Sequence, residues 1–348
     1  MTPALVDLAD PEARRLGIHR SAAPAGALPH IADVLDPSEP ANEYEVLLDV
    51  ETLAVDATSF RAIRDQARRD PERMADTIAD VVAQRSKLQN PWTGSGGVLL
   101  GRVRSAGPHA ATPGLAAGEA VVPLASLIAI PLVLDDVGPV DPDFPQVPVR
   151  GRAVVTGAML CARVPDDLPA TIALTAFDVY PAASHVRELA TPGSRVLVLG
   201  AGHGGLLAIA AARQAVGPEG SVAAVDVSTR ALAHARAIDP AIVAVEADVT
   251  DPLAVTRALD ARDAGRADLT LLCTSVAGAE GTAVLASDPR ATIVFFSTAT
   301  RFAAAALGAD AIGSQPRLLI PCGLTDDRGE YALTLLRTLA PLRAAFGA

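Results

Sequence analysis

The chain is long enough for two domains, and its composition excludes several classes of protein. Its 348 residues carry a formal net charge of −11, and aromatic side chains make up only 3%. Each domain of such a chain can bury a core of its own. Nucleic acids are bound by clustered cations, so we expect no nucleic-acid partner. Apolar runs such as Val121–Leu134 contain prolines and are too short to cross a membrane, so we expect no membrane partner either.

The cysteines and the first residues predict a cytoplasmic protein. Cys161, Cys273 and Cys322 are far apart and odd in number, which argues for reduced thiols and against a disulfide framework. The first fifteen residues contain acidic side chains and lack the apolar stretch of a secretory signal. We therefore expect the protein to work inside the cell.

Short strand-like runs separated by turns fill the first half of the chain. Glu43–Val55, Gly97–Gly107 and Gly118–Leu124 have the composition of strands bounded by glycine or proline. Ser59–Lys87 is charged and has apolar residues at partly helical spacing, which predicts helical structure. Asp135–Gly151 is rich in proline and predicted to be extended. This half is therefore predicted to be a β-rich domain.

From about Pro169 onward, apolar strands alternate with amphipathic helices. This alternation continues to the last residue, and the strands are apolar along their whole length. Such strands are typical of a parallel sheet covered by helices on both faces. The sequence therefore predicts an α/β protein with a β-rich domain over residues 1–168 and a doubly wound parallel-sheet domain over residues 169–348.

A glycine-rich turn in the second domain predicts a dinucleotide site. Gly200, Gly202 and Gly205 form the pattern G-x-G-x-x-G between an apolar strand and a helix. The first glycine permits a tight turn, the second lets a pyrophosphate approach the backbone, and the third allows close packing of helix and strand. Asp226 ends the next strand, where an acid binds the ribose hydroxyls. The alternative is a glycine-rich turn with no cofactor.

The predicted cofactor is NAD. Asp226 would repel the 2′-phosphate of NADP, although Arg230 lies close enough to temper this preference. His203 either contacts a phosphate or is only tolerated in the loop. Cys273 ends a later strand and either borders the nicotinamide ribose or is a buried small hydrophobe. The predicted cofactor-binding residues are Gly200, Gly202, His203, Gly204, Gly205, Asp226, Arg230, Cys273, Thr274 and Ser275.

A β-rich domain followed by a dinucleotide domain resembles the medium-chain dehydrogenase/reductase superfamily, whose first domain is GroES-like. Zinc-dependent members bind their metal through a cysteine, a Gly-His-Glu motif and a later cysteine. The matching segments here have Asp56 for the first cysteine and Gly97 for the histidine, and the segment of the later cysteine offers Asp178. Without thiolate or histidine ligands we expect no metal, and hence a zinc-independent member.

Several blocks of sequence, from Leu16 to the last helix, resemble the L-erythro-3,5-diaminohexanoate dehydrogenase family. The most distinctive are Thr93–Gly97 (TGSGG) and Phe295–Ala309 (FFSTATRFAAAALGA). The resemblance implies an oxidoreductase of lysine degradation that acts on a CH–NH2 group. It would use NAD to deaminate a 3,5-diamino acid at C3, giving 5-amino-3-oxohexanoate and ammonia. A homodimer is also expected, because related enzymes commonly pair the edge strands of their dinucleotide domains.

The chain departs from the family pattern at Thr156–Met159 and in the glycine loop, which is one residue shorter and lacks a lysine. The family pattern has Phe-Glu-Ser-Gly where this chain has Thr156–Met159, so that Gly157 replaces the glutamate. Two alternatives stay open: a zinc-independent, NAD(P)-dependent reductase or dehydrogenase of a related β-amino acid, β-oxo acid or enone, and an NAD(H)-binding structural or sensor protein without turnover.

Oxidation of an amine needs a base near the amine and a site for water. Asp56 and Asp178 would flank the position of the missing metal, where their carboxylates can hold ammonium groups. Each aspartate can instead cap a turn or a helix. Thr58 matches a hydroxyl that relays protons in the superfamily, or it closes a local turn.

Two stretches are predicted to contact the substrate. The turn Thr93–Gly97 offers backbone amides and hydroxyls to a polar group such as a carboxylate, or it is a structural loop. The stretch after Phe295 follows a parallel strand, at the sheet edge where ligands bind. Arg301 either binds a carboxylate or is a solvated surface residue. The predicted substrate-binding residues are Thr93, Ser95, Gly96, Ser297, Thr298, Thr300 and Arg301.

Overall fold

The structure is a computed structural model that describes residues 9–39, 41–321 and 323–347. The first eight residues and Cys322 lie outside the described residues. The expectations about a secretory signal and about the three cysteines rest partly on these residues. The chain forms two compact units, Met1–Asp178 and Val179–Ala348. The boundary predicted from the sequence lies ten residues earlier, between 168 and 169.

The antiparallel strand pairs of the described residues all lie in the first unit. Its elements are α1 (Pro11–Arg15), β1 (Ser21–Ala23), β2 (Val34–Leu35), β3 (Val46–Val55), α2 (Ala57–Gln66), α3 (Pro71–Arg85), β4 (Gly97–Ala106), β5 (Ala120–Pro123), β6 (Leu132–Val137), β7 (Gln146–Val155), β8 (Cys161–Arg163) and α4 (Ala170–Val179), with 3₁₀ turns at Ile18–Arg20 and Leu127–Ala129. The three predicted strands correspond to β3, β4 and β5, and the extended proline-rich stretch overlaps β6 and β7.

A six-stranded antiparallel sheet organises this unit. Its strand order is β6-β7-β3-β4-β5-β8, so β3 lies inside the sheet and pairs with β7 on one side and β4 on the other. Val46 lies opposite Val155, and Ala54 lies opposite Gln146. The apolar side chains of β3 and β4 pack with those of α2 and α3 in one core. Asp56 follows the last residue of β3, and Glu45 precedes its first residue.

The charged stretch Ser59–Lys87 forms two helices. Arg68 and Arg69 have φ angles of 53° and 62°, in the left-handed region that ends α2. Asp70 then caps α3, and Pro71 occupies its first turn. Proline fits the first turn because the N–H it lacks has no partner there. The prediction of helical structure was therefore correct, but it missed the break between α2 and α3.

The only lysine of the chain is buried in this unit. The Lys87 side chain is 0% exposed, and its Nζ donates to the carbonyl of Pro29 at 3.3 Å. Burial lowers the pKa of Lys87 to about 8, and the neighbouring Arg85 acts in the same direction. The cost of burying a charge therefore makes the amine easier to deprotonate than an exposed lysine amine.

A buried ion pair holds the 3₁₀ turn Ile18–Arg20 to the start of β3. Arg20 donates to both carboxylate oxygens of Glu45, at 2.8 and 2.7 Å, and His19 Nε2 lies 2.9 Å from one of them. Burial alone would raise the pKa of Glu45, but the hydrogen bonds from Arg20 and His19 outweigh it and lower this pKa to about 2. This pair lies at the end of β3 opposite Asp56.

The second unit is a parallel α/β structure. Its elements are α5 (Pro181–Leu189), β9 (Arg195–Leu199), α6 (His203–Val216), β10 (Ser221–Asp226), α7 (Thr229–Ile238), β11 (Val243–Glu246), α8 (Pro252–Asp260), β12 (Ala267–Leu272), α9 (Glu280–Leu285), β13 (Ser287–Phe295), α10 (Phe302–Ala311), β14 (Arg317–Leu319), α11 (Glu330–Thr338) and α12 (Ala340–Ala345).

All strand pairs of the second sheet are parallel, in the order β11-β10-β9-β12-β13-β14. This is the doubly wound order 3-2-1-4-5-6, with β9 as the first strand. The chain reverses direction across the sheet between β9 and β12, and ligands bind at the carboxyl ends of the strands at such a point. The predicted fold class is confirmed. No helix in the described ranges is long and apolar enough to span a membrane.

Candidate active site

Asp56 lies at the end of β3 and begins α2. Its Oδ1 accepts the N–H groups of Thr58 and Ser59, at 3.1 and 3.0 Å, as a helix cap does. Its Oδ2 is buried and has no hydrogen-bond partner in the described structure. A buried carboxylate oxygen without a donor is costly unless a ligand supplies one. Asp56 therefore combines the capping role with an oxygen left for a ligand, and Thr58 closes the turn through its backbone.

Asp178 lies in the last turn of α4 and does not cap a helix. Burial, and to a smaller extent the charge of the neighbouring Asp56, raise the pKa of Asp178 to about 7. The negative end of the helix dipole also disfavours a charge there. The structure thus brings the two predicted carboxylates together in one unit, and one of them exchanges its proton near neutral pH.

Gln146 holds α4 beside the end of β3. It pairs with Ala54 in the sheet, and its side-chain Nε2 donates to Thr171 O at 2.6 Å and to Thr175 Oγ1 at 2.8 Å. Thr175 precedes Asp178 by three residues, so both face one side of the helix. No sequence pattern pointed to Gln146, because its partners are 25 and 29 residues away.

Three hydroxyl groups form a closed ring beside Asp56. Ser59 Oγ lies 2.8 Å from Thr93 Oγ1 and 2.8 Å from Ser95 Oγ, and these two lie 3.1 Å apart. We call this set the hydroxyl ring. Ser59 is fully buried, whereas Thr93 and Ser95 are half-buried. Sequence reasoning missed Ser59, because its partners Thr93 and Ser95 are 34 and 36 residues away.

Asn90 fixes the turn that carries two of these hydroxyls. Its Oδ1 accepts the N–H groups of Trp92 and Thr93, at 2.8 and 3.3 Å, and its Nδ2 donates to Ser59 O at 3.1 Å. Asn90 is buried, whereas Trp92, the only tryptophan of the chain, is 51% exposed. The turn is therefore rigid at its base and presents an aromatic ring at its tip.

Glycine is required where this turn meets β3. Gly96 O accepts the N–H of Asp56 at 3.3 Å. Gly97 has a φ of 108°, and a Cβ there would lie 2.0 Å from Ala54 O. Both contacts bring the turn against the end of β3, and the second one explains why position 97 needs glycine. Nowhere in the residues that the structure describes do three or more metal-ligating side chains cluster.

The turn after β9 has the geometry of a dinucleotide loop. Gly200 has a φ of 97°, and a Cβ on Gly205 would lie 1.9 Å from Gly200 O. A Cβ on Gly202 would meet nothing within 4 Å, and this residue begins α6 without a side-chain cap. The N–H groups of the first helical turn are therefore left for an anion, and there is room for it at Gly202.

Asp226 accepts hydrogen bonds from the backbone of the loop and from the residues that follow its own strand. Its Oδ2 accepts the N–H of Ala201 at 2.7 Å, and its Oδ1 accepts that of Ser228 at 2.8 Å. Each oxygen keeps a second lone pair, which a ribose hydroxyl can use. Arg230 is exposed in the first turn of α7 and lies near enough to influence the titration of His203.

The His203 side chain packs inside the second unit. It is the first residue of α6, and its ring packs against that of Phe346, with centroids 4.6 Å apart. Burial lowers the pKa of His203, although a hydrogen bond with the backbone of Ala345 opposes the shift. The imidazole therefore stays neutral and fastens the last helix to the loop.

The residues after β12 and β13 lie at the same carboxyl edge. Thr274 N would lie 2.7 Å from a Cβ on Gly200, so Cys273 and Thr274 abut the loop. Burial raises the pKa of the Cys273 thiol to about 12, so it stays protonated. Phe296 is half-buried and lies against Gly204.

The stretch after β13 contains one unpaired hydroxyl. Ser297 accepts the N–H of Ala299 at 3.2 Å, and Thr298 is exposed. Thr300 is buried, and its Oγ1 has no partner in the described ranges, so it can receive a ligand. Arg301 has an exposed side chain, and its N–H donates to the buried Glu280 at 2.6 Å.

Solved structures show the class of protein that this architecture defines. The chain is similar to the quinone oxidoreductase of Pseudomonas syringae pv. Tomato DC3000, with a TM-score of 0.54 and 16% identity over 89% of this chain and 87% of that one. The chain has the fold of the medium-chain dehydrogenases/reductases, with a GroES-like and a Rossmann domain.

Sequence relatives identify the family. The model of the L-erythro-3,5-diaminohexanoate dehydrogenase N-terminal domain matches residues 19–165. Proteins named L-erythro-3,5-diaminohexanoate dehydrogenase from Fusobacterium nucleatum subsp. nucleatum and Acetoanaerobium sticklandii are 35% and 33% identical, over 95% of this chain and 97% of each relative. The chain belongs to the L-erythro-3,5-diaminohexanoate dehydrogenase family.

The departure from the family pattern at Thr156–Met159 lies away from Asp56. Thr156 follows β7 where this strand pairs with the start of β3, whereas Asp56 follows the other end, about 30 Å away at ~3.3 Å per residue. A Cβ on Gly157 would lie 2.6 Å from Tyr44 Cβ. A glutamate would therefore displace Tyr44, and its absence does not alter the contacts of Asp56.

The two glycines of the dinucleotide loop are expected to differ when each is replaced by alanine. Gly205→Ala should lower the melting temperature, because its methyl group meets Gly200 O. Gly202→Ala should fold like the unchanged chain and bind NADH about tenfold or more weakly, because its methyl group enters the space left for the anion. Thermal unfolding and NADH fluorescence titration measure the two effects. Unchanged NADH binding by Gly202→Ala would contradict the assignment.

Proposed function

We propose that this chain is an NAD-dependent L-erythro-3,5-diaminohexanoate dehydrogenase. It oxidatively deaminates the substrate at C3 and forms 5-amino-3-oxohexanoate and ammonia. The observation that carries the proposal is 35% identity over 335 residues to a relative of that name. The paired carboxylates Asp56 and Asp178 support it, because they suit a cationic diamino acid better than a simple alcohol.

NAD is the cofactor that the loop residues fit. The uncapped first turn of α6 and the open space at Gly202 suit a pyrophosphate, and Asp226 keeps acceptors for two ribose hydroxyls. Its charge disfavours a 2′-phosphate, and the exposed Arg230 moderates that preference. When bound, the nicotinamide takes up the hydride that leaves C3.

Asp178 is the proposed base. The amine must lose a proton before C3 can lose a hydride, and a carboxylate with a pKa near 7 accepts that proton at neutral pH. The resulting imine is hydrolysed by water, with release of ammonia. Asp56 stays fixed by the helix N–H groups, so its free oxygen orients an ammonium group and does not need to move.

We also propose the cellular setting and the assembly. The family suggests lysine degradation in the cytoplasm, and the loss of thiolate and histidine ligands suggests zinc-free chemistry. A homodimer is supported by β14, which ends the sheet, and by Leu307, Ile312 and Ile320 nearby, which are more than half exposed. Sedimentation equilibrium should give twice the chain mass, and a monomer at micromolar concentration would contradict the dimer.

Activity is expected with L-erythro-3,5-diaminohexanoate and NAD in the presence of EDTA. NADH absorbance and released ammonia should rise in equal amounts, since each turnover reduces one cofactor and frees one ammonia. Turnover of enones or β-oxo acids without turnover of the diamino acid would favour a reductase. Tight NADH binding with no turnover of any of these would favour a sensor.

Asp178→Asn is expected to lower kcat by about 100-fold or more, since general bases contribute such factors. In the unchanged enzyme, kcat/KM should rise as the pH rises through about 7, because the base works only as a carboxylate. The variant should lack this rise. Asp80→Asn, an exposed aspartate on α3, is the control. A variant that keeps the rise would exclude Asp178 as the group that titrates.

A further inference from the structure

We infer that Asp56 and the hydroxyl ring bind the ammonium group that is not oxidised, which is the C5 ammonium of a 3,5-diamino acid. This inference rests on the proposed function and adds which end of the substrate the first unit recognises. It differs from the sequence expectation, in which the turn Thr93–Gly97 faces a carboxylate.

The number of hydroxyl protons in the ring determines whether it suits a positively or a negatively charged ligand group. Each hydroxyl has one proton to donate and two lone pairs to accept with. Three contacts of 2.8, 2.8 and 3.1 Å need three donated protons, and Ser59, Thr93 and Ser95 have three in total. No hydroxyl proton is left over. With its three contacts intact, the ring can therefore accept a hydrogen bond from a ligand but has no proton left to donate to a carboxylate.

The acceptor that faces a ligand belongs to Ser95. Thr93 Oγ1 uses its second lone pair for the N–H of Ser95 at 3.4 Å, and Ser59 is fully buried. Ser95 is half-buried, and its Oγ has no hydrogen-bond partner outside the ring among the described residues. Its free lone pair is thus the outward-facing one.

Asp56 supplies the charge beside this acceptor. Ser59 links the two groups, because its N–H donates to Asp56 Oδ1 at 3.0 Å while its hydroxyl contacts Ser95. The unpartnered Oδ2 of Asp56 is a second acceptor. A half-buried carboxylate with a neighbouring neutral acceptor suits an ammonium group, which has three donors and no acceptor.

The chemistry of the reaction assigns this site to C5. The C3 amine must become neutral, so it needs a group that takes its proton, and Asp178 is that group. The C5 amine stays protonated throughout and needs acceptors that leave its proton in place. Serine and threonine hydroxyls do not take up protons near neutral pH, so the hydroxyl ring suits this second role.

Two non-reacting substrate analogues test the assignment. 5-Aminohexanoate keeps the C5 ammonium and the carboxylate, whereas hexanoate keeps only the carboxylate. In the presence of NADH the unchanged enzyme should bind 5-aminohexanoate about tenfold or more tightly than hexanoate, since hydrogen bonds to charged groups commonly contribute that much. Inhibition of turnover and quenching of Trp92 fluorescence measure the dissociation constants, because Trp92 lies in the same turn.

Ser95→Ala should remove most of this preference and leave hexanoate binding as it is. Thr93→Val, which opens the ring and frees a hydroxyl proton, should reduce the preference in the same direction. Ser105→Ala, at an exposed position on β4, controls for the loss of a serine hydroxyl. Melting temperatures verify that each variant is folded.

The outcomes separate this inference from the proposed function. Equal loss of both analogues in Ser95→Ala, or no preference in the unchanged enzyme, would overturn the ammonium site even if the diamino acid is turned over. If the diamino acid is not turned over, the fluorescence titration still decides whether the ring prefers an ammonium. Weaker hexanoate binding in Ser95→Ala would mean that the turn faces the carboxylate end.

Discussion

The last residues of β3 are held from both sides, and the candidate site of the first unit depends on this. On one side Gly97 comes so close to Ala54 and Asp56 that no side chain fits between the backbones, and the carbonyl of Gly96 accepts the N–H of Asp56. On the other side Gln146 binds α4 to the neighbouring strand. A charged group that helps a reaction must be positioned before the substrate arrives. Here backbone contacts and one buried amide provide that position.

The two units use strand ends in opposite ways. In the second unit, the turn after β9 leaves backbone N–H groups uncapped, so the site is rich in donors and suits phosphates. In the first unit, the turn before β4 and the cap of α2 use up donors, so the site is rich in acceptors and suits cations. Glycine is needed in both turns for the same steric reason. The free donors or acceptors beside the glycines determine which charge of ligand each site suits.

Local patterns predicted much of this architecture. The strands of both sheets, the loop Gly200–Gly205 and the acid at Asp226 depend on residues that are neighbours in sequence or follow a fixed spacing. The fold class followed from the same patterns. The resemblance to a family supplied the pairing of Asp56 with Asp178, which no local pattern contains.

Contacts between distant residues could not be predicted in this way. Ser59 looked like an ordinary residue of a helix, and only the fold brings it to Thr93 and Ser95. His203 lies in a phosphate-binding motif, but Phe346 at the far end of the chain takes its ring. The break between α2 and α3 was also missed, but it could have been predicted, because Asp70 followed by Pro71 is a local signal for a helix start.

The burial of Lys87 has a consequence for the chemistry of the protein surface. It is the only lysine in the sequence, and its side chain has no exposed area. Acetylation, ubiquitin transfer and amine-directed cross-linkers all need an accessible lysine amine. The folded chain therefore offers these reactions no lysine, although it carries 28 arginines. Modification of Lys87 would mark molecules whose first unit has opened.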